Sequence, residues 1–189
     1  SQPLVADEIL DAYPLRRHRR LLDVGGGEGR FLAAAAARAP QLELALFDLP
    51  AVAERAQARL ADLGLSNRST VHGGDFFQDP LPTGADLLTL VRVVHDHDDV
   101  KVVTLLRAAH TALRPGGTLL LAEPMSGTRG AEAMGDAYFG FYLLAMGSGR
   151  PRSQAELIGL LRSVGFERVR VRSTRLPLQT GLLSAVKAA

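Results

Sequence analysis

Cysteine is absent from the 189 residues, which removes a disulfide framework, thiolate metal sites and catalysis through a cysteine nucleophile together. Tryptophan is absent as well. No apolar run is long enough to cross a bilayer. The amino-terminal stretch from Ser1 to Tyr13 reads as an amphipathic helix carrying Asp7, Glu8 and Asp11, without the apolar centre of a signal peptide. A net excess of charge is also lacking: the formal net charge is +2, and the basic isoelectric point reflects arginines that do not titrate near neutrality rather than a large field. Composition therefore gives no reason to expect a nucleic-acid partner, and a cytoplasmic location is the expectation.

The length suits one globular domain, residues 1–189, with one substantial core. The chain opens on Ser1, inside what looks like a connecting helix, so a preceding domain is expected to be missing. Leu21, Leu22 and Val24 make a short apolar run that breaks at Gly25-Gly26-Gly27, and an alanine-rich helical segment follows from about Arg30 to Arg38. Leu42 to Phe47 reads as a second strand ending at Asp48, and Pro50 then opens a helix over Ala51 to Leu63.

The alternation continues with strands near Thr70 to His72, Leu87 to Val91 and Thr118 to Ala122. A helix around Val100 to Leu113 is closed by Pro115-Gly116-Gly117. Such a pattern predicts an α/β fold, a mostly parallel, doubly wound sheet with helices on both faces. Helices near Ala131 to Met146 and Gln154 to Ser163 precede two strands, Arg168 to Thr174 and Leu182 to Lys187, which read as an antiparallel hairpin. The basic clusters Arg16 to Arg20 and Arg168, Arg170, Arg172 read as solvated faces.

Asp23-Val24-Gly25-Gly26-Gly27-Glu28-Gly29 places glycines where the chain leaves a strand for a helix, so backbone can approach a nucleotide-like ligand. Asp48 closes the next strand and suits a carboxylate that accepts from two ribose hydroxyls. A dinucleotide fingerprint beginning at Gly25 and Gly27 requires a third glycine where Arg30 stands. Asp23, just before the loop, disfavours a pyrophosphate and favours an adenosyl ligand carrying an ammonium and a sulfonium. In Gly73-Gly74-Asp75-Phe76-Phe77, Asp75 suits an adenine amino group and Phe76 the base face; an ordinary polar turn is the alternative.

Arg92-Val93-Val94-His95-Asp96-His97-Asp98-Asp99 follows the fourth strand, at the sheet edge where open α/β folds bind ligands. Together with Leu22 to Gly29, Phe47-Asp48-Leu49-Pro50, Gly74 to Phe77 and Leu113-Arg114-Pro115-Gly116-Gly117, it resembles the class I S-adenosylmethionine-dependent O-methyltransferases of the caffeate and acetylserotonin type. The stretch Met134 to Pro151 is similar to the bacterial hydroxyneurosporene and demethylspheroidene branch.

The resemblance implies a Rossmann-like sheet of order 3-2-1-4-5-7-6 and contacts to S-adenosylmethionine from Asp23, Gly25, Gly27, Asp48, Leu49, Asp75, Phe76 and Arg92. It implies His95 as general base, Glu123 as the group that orients it, and no metal. The acceptor is expected to be the hydroxyl of an apolar small molecule, with a hydroxycarotenoid as one candidate, and a lipophilic acceptor leaves room for peripheral membrane access. The family's amino-terminal domain dimerises, so a homodimer is expected of the whole protein. Two departures stand out: His97 replaces the usual tryptophan, and Pro151 falls near a second bracketing glutamate, leaving Glu123 to orient His95 alone.

Met134, Tyr138, Phe141, Tyr142 and Met146 share a helical face that suits either core or an adaptable apolar substrate wall. His95 and His97 also approach a hydrolase zinc pattern, but Val100 occupies the place of its last histidine. Amine methylation on nucleic acid or protein and a non-catalytic donor-binding domain are the competing functions. The first lacks its usual Asp/Asn-Pro-Pro-Tyr/Phe motif, and the second has no need of His95 and Glu123.

Overall fold

The computed structural model describes residues 2–127, 149–177 and 180–189. Helix α1 (Gln2–Ala12) leads into the repeating unit β1 (Arg20–Val24), α2 (Arg30–Arg38), β2 (Glu43–Asp48), α3 (Pro50–Asp62) and β3 (Ser69–Gly73). After β4 (Ala85–Val91) a single 3-10 turn, Val94–Asp96, precedes α4 (Asp99–Ala112) and β5 (Leu113–Glu123). The chain ends in α5 (Gln154–Ser163), β6 (Phe166–Arg172) and β7 (Gly181–Lys187). The expected helix over residues 131–146, with Met134, Tyr138, Phe141, Tyr142 and Met146, lies outside the described residues.

The seven strands form one sheet in the order β3-β2-β1-β4-β5-β7-β6, as expected. The first five are parallel, while β7 runs antiparallel to both β5 and β6. Central strands β1, β4 and β5 carry apolar residues on both sides because helices cover both faces. Adjacent residues of one strand consequently enter different cores: Leu22, Leu88 and Leu119 pack with α4 and α5, whereas Leu21, Leu87 and Leu120 pack with α1, α2 and α3.

Local chemistry sets the helix starts. Pro50 occupies the first turn of α3, where its missing N–H costs nothing. Asp98 caps α4 by accepting from the Lys101 N–H at 2.9 Å. Ser153 and Glu156 form a reciprocal capping box at α5.

Three expectations are corrected. Pro115-Gly116-Gly117 does not stand between helix and strand: α4 stops at Ala112 and β5 begins at once. The tripeptide instead bulges from β5, since Ala85 pairs with Leu113 and Leu87 with Thr118. The sixth strand is displaced towards Phe166 and carries an irregularity at Arg168, whose φ is +47°. Arg172 is not purely solvated, because its Nε donates to Ser184 Oγ at 2.8 Å and its guanidinium lies over the Tyr13 ring.

Two buried carboxylates tie segments far apart in sequence. Glu8 on α1 accepts from the backbone N–H groups of Arg175 and Leu176, joining the first helix to the β6–β7 connection. Asp86, with its side chain 4% exposed, accepts from the N–H groups of Arg19 and Arg20 and from Arg114 Nη2. Replacing Asp86 with Ala strands these donors at the start of the central strands. The expected loss is roughly 2–4 kcal/mol in a urea unfolding experiment; a loss under about 0.5 kcal/mol would show that water replaces the carboxylate.

Candidate active site

β1 stops at the glycine turn because that turn needs backbone that side chains obstruct. Gly25, Gly27 and Gly29 all have positive φ. A Cβ at Gly26 would stand 2.7 Å from Asp23 Oδ2, and one at Gly25 would stand 2.7 Å from Val93 Cγ2. The turn is tied to the next strand twice: the Gly25 N–H donates to the Phe47 carbonyl at 2.8 Å, and the Gly27 N–H donates to Asp48 Oδ2 at 2.7 Å. The other Asp48 oxygen accepts from the Leu49 N–H at 2.8 Å. Asp48 thus shapes the loop while keeping lone pairs for a ligand, since a carboxylate offers about four acceptor positions.

Asp23 is 1% exposed and faces Thr89 across the β1–β4 pair. Thr89 Oγ1 donates to Asp23 Oδ1 at 2.6 Å, but Oδ2 has no hydrogen-bond partner among the described residues. Burial pushes this carboxyl up to about 7, against the lowering effect of the Thr89 bond. Nearby Asp48 pushes in the same direction as burial.

After β4 the chain turns sharply at Arg92, whose φ is +57° and whose N–H donates to the Ala122 carbonyl at 2.8 Å. The 3-10 turn that follows presents His95, buried to 5% exposure. Glu123, at the end of β5 and 2% exposed, holds this turn with both oxygens. Oε1 accepts from the N–H groups of Val93 at 2.9 Å and Val94 at 2.6 Å, and Oε2 lies 2.6 Å from His95 Nδ1. Asp96 Oδ1 stands 3.2 Å from the other ring nitrogen, Nε2.

These elements converge on one cavity of about 570 Å³, within the range of small-molecule sites. Asp23, Gly25, Gly27, Arg92, His95 and Asp96 all contribute to its wall, and Val5 reaches it from α1. Asp48, Leu49, Asp75 and Phe76 are not among its lining residues. Asp75 is used locally: Oδ1 accepts from the Phe77 N–H at 2.9 Å and Oδ2 from Gln78 Nε2 at 2.7 Å. Phe76 packs edge-on against Phe77 and His97. His97 also stands edge-on to Phe77, and among the described residues no three His, Asp or Glu side chains are placed to hold a metal ion.

Thr89, Asp96 and Arg152 escaped the sequence reading as contributors. Thr89 sits inside the apolar run Leu87 to Val91, where a single polar residue on an inward face was the available signal. Arg152 immediately precedes the capping box of α5 and carries no distinctive spacing of its own.

A seven-stranded sheet of this order, with a glycine turn after β1 and a carboxylate closing β2, defines a methyltransferase-type α/β fold. Residues 1–167 match the family model for the O-methyltransferase domain, and the chain belongs to that family. It is 47% identical over 187 residues to demethylspheroidene O-methyltransferase of Cereibacter sphaeroides, covering 99% of this chain and 49% of that protein. Aclacinomycin 10-hydroxylase RdmB of Streptomyces purpurascens is 40% identical, over 97% of this chain and 50% of its own length. The crystal structure of human N-acetylserotonin methyltransferase in complex with SAM superposes with a TM-score of 0.85 at 27% identity, covering 97% of this chain and 53% of that one. The chain therefore spans about half the length of the curated relatives it matches.

The buried Asp23 makes a signed prediction. Its folded pKa of about 7 lies above its ordinary 3.8, so the folded chain holds an extra proton between those values and stability falls as pH rises through that window. Urea unfolding at pH 5 and pH 8 should show a loss of roughly 2–3 kcal/mol that Asp23→Asn largely removes. Equal pH dependence in both proteins would place the titrating group elsewhere.

Proposed function

We propose that this chain is the catalytic half of an enzyme that moves a methyl group from S-adenosylmethionine to a hydroxyl of an apolar small molecule. The observation that carries the reading is a shared cavity: the glycine turn with its orphaned carboxylate on one side, and the Glu123-held His95 on the other. The donor fits this wall. Among the described residues Asp23 Oδ2 is a buried, unpartnered acceptor that suits an ammonium, and Gly25 against Val93 and Gly26 against Asp23 pack too closely to admit a Cβ, which holds the turn tight over Asp23. The turn behind the cavity is acidic at Asp23, which opposes a phosphate-bearing cofactor.

Asp23, Gly25, Gly27 and Arg92 would hold the donor's amino-acid end and sulfur, Asp48 and Leu49 the ribose, and Asp75 with Phe76 the adenine. The bound donor supplies an electrophilic methyl on a good leaving group. The protein's task is then to align the acceptor oxygen and to receive its proton.

His95 is built for the second task. With Nδ1–H donated to Glu123, the tautomer is set and Nε2 is the proton acceptor. Once Nε2 is protonated, its N–H has Asp96 Oδ1 at 3.2 Å to donate to, so the imidazolium is held between two carboxylates. Asp96 thereby offers the second carboxylate that Pro151 cannot.

The acceptor's acidity decides the timing. Between an ordinary imidazole and a phenol the gap is ~3.5 pKa units, or ~5 kcal/mol, which a stepwise transfer can accommodate. For an aliphatic alcohol, with water's ~15.7 as a stand-in, the gap grows to ~9 units, and proton loss must accompany or follow methyl transfer. The demethylspheroidene name of a 47% identical relative supports a hydroxycarotenoid acceptor, and with it access to a membrane-dissolved substrate. A homodimer formed by the other half of the whole protein belongs to the same proposal.

The decisive experiment pairs calorimetry with turnover. His95→Gln should leave S-adenosylhomocysteine affinity within about threefold while cutting methylation of demethylspheroidene by about 100-fold or more. Asp48→Ala should weaken that affinity by about tenfold or more, because it removes a charged acceptor from both ligand and glycine turn. Turnover that survives in His95→Gln would defeat the base assignment. A hydroxylated rather than methylated product would instead align the chain with its hydroxylase relative.

A further inference from the structure

The segment Gly149 to Arg152 lies against the turn that carries His95, and nothing assigned so far explains its chemistry. Arg152 is buried, its side chain 1% exposed, yet it does not line the cavity. Its guanidinium is directed at the backbone on either side of His95. Nη1 donates to the Val94 carbonyl at 3.1 Å, Nη2 donates to the His97 carbonyl at 2.8 Å, and Nε donates to Asp99 Oδ1 at 2.8 Å. The same planar fork therefore spans the 3-10 turn from the residue before His95 to the first residue of α4.

Two further contacts make this more than a local ion pair. The Ser126 N–H donates to the Arg152 carbonyl at 3.1 Å, which joins Arg152 to the chain just beyond Glu123. Gly149 rests directly on the base's own peptide, since a Cβ there would stand 2.5 Å from the His95 carbonyl oxygen and 2.7 Å from the Asp96 carbonyl carbon. Asp99 completes the arrangement on the outside, held also by Arg150 Nη2 at 3.1 Å.

We propose that Arg152 is a positioning residue for the reaction, one that fixes the His95 imidazole against Glu123 by gripping the Val94 and His97 carbonyls. The proposal rests on the reading of His95 as the base. Its physical content is geometric. The 2.6 Å contact between His95 Nδ1 and Glu123 Oε2 survives only if the turn cannot rock, and the guanidinium holds both ends of that turn from behind. A lysine keeps the charge but is a point donor that cannot meet two carbonyls and a carboxylate in one plane.

The test reads the imidazole itself, without turnover. In nitrogen-15-labelled protein saturated with S-adenosylhomocysteine, the proton on His95 Nδ1 is identified by its loss in His95→Gln. Its exchange with solvent should be about tenfold or more faster in both Arg152→Met and Arg152→Lys, while S-adenosylhomocysteine affinity stays within about threefold of wild type. Unchanged exchange in Arg152→Met, or full restoration by Arg152→Lys, would overturn the proposal in favour of a purely structural charge. Should Arg152→Met fail to fold, Arg152→Lys decides alone: faster exchange supports the grip and wild-type exchange overturns it. A wrong base assignment would show separately, as methylation that persists in His95→Gln.

Discussion

The site depends on one buried carboxylate. Glu123 ends β5, and from there it accepts from two backbone N–H groups of the turn after β4 and meets the His95 ring with its remaining oxygen. A carboxylate this deeply buried is costly unless its lone pairs are engaged, and here three donors engage them. The parallel β4–β5 pairing places both strand ends at the same edge, with Val91 beside Ala122. Removing Glu123 would release the turn and the ring together, because the same carboxylate holds both.

The opposite wall follows a different logic. Asp23 is also buried, but among the described residues only one of its oxygens is engaged, and the glycine turn approaches the other so closely that no side chain fits at Gly26. The protein leaves this carboxylate unsatisfied in a cavity that a cationic group can enter. The Glu123-held turn with His95 and the glycine turn with Asp23 face one cavity.

Much of this was legible in the chain. Apolar runs punctuated by Gly25-Gly26-Gly27, Asp48-Leu49-Pro50 and the His95 cluster reveal strand, turn and helix because glycine and proline constrain backbone locally. The sheet order was accessible through the resemblance to the O-methyltransferase family, because the handedness of crossovers alone does not say which strands pair. Less accessible were the bulge at Pro115-Gly116-Gly117 and the displacement at Arg168, where a turn motif is absorbed into a strand by its neighbours. The engagement of Asp75 by Phe77 and Gln78 was likewise one of two open readings that local sequence could not separate.

What the sequence determined by itself is the class of fold and the place of the glycine turn, which are set by short-range rules of backbone freedom and burial; Asp23, Asp48, His95 and Glu123 were marked as candidates by their places at strand ends and by the family resemblance. What only the tertiary structure decided is which of them meet. Asp23 is perturbed because burial outweighs the hydrogen bond that Thr89 gives one of its oxygens, and Asp48 is turned partly onto Gly27. Arg152 becomes relevant because a guanidinium more than fifty residues away from His95 in the chain reaches both carbonyls around it. Such contacts depend on distances between strand ends and loops, which are fixed by packing across the whole sheet rather than by any run of neighbouring residues.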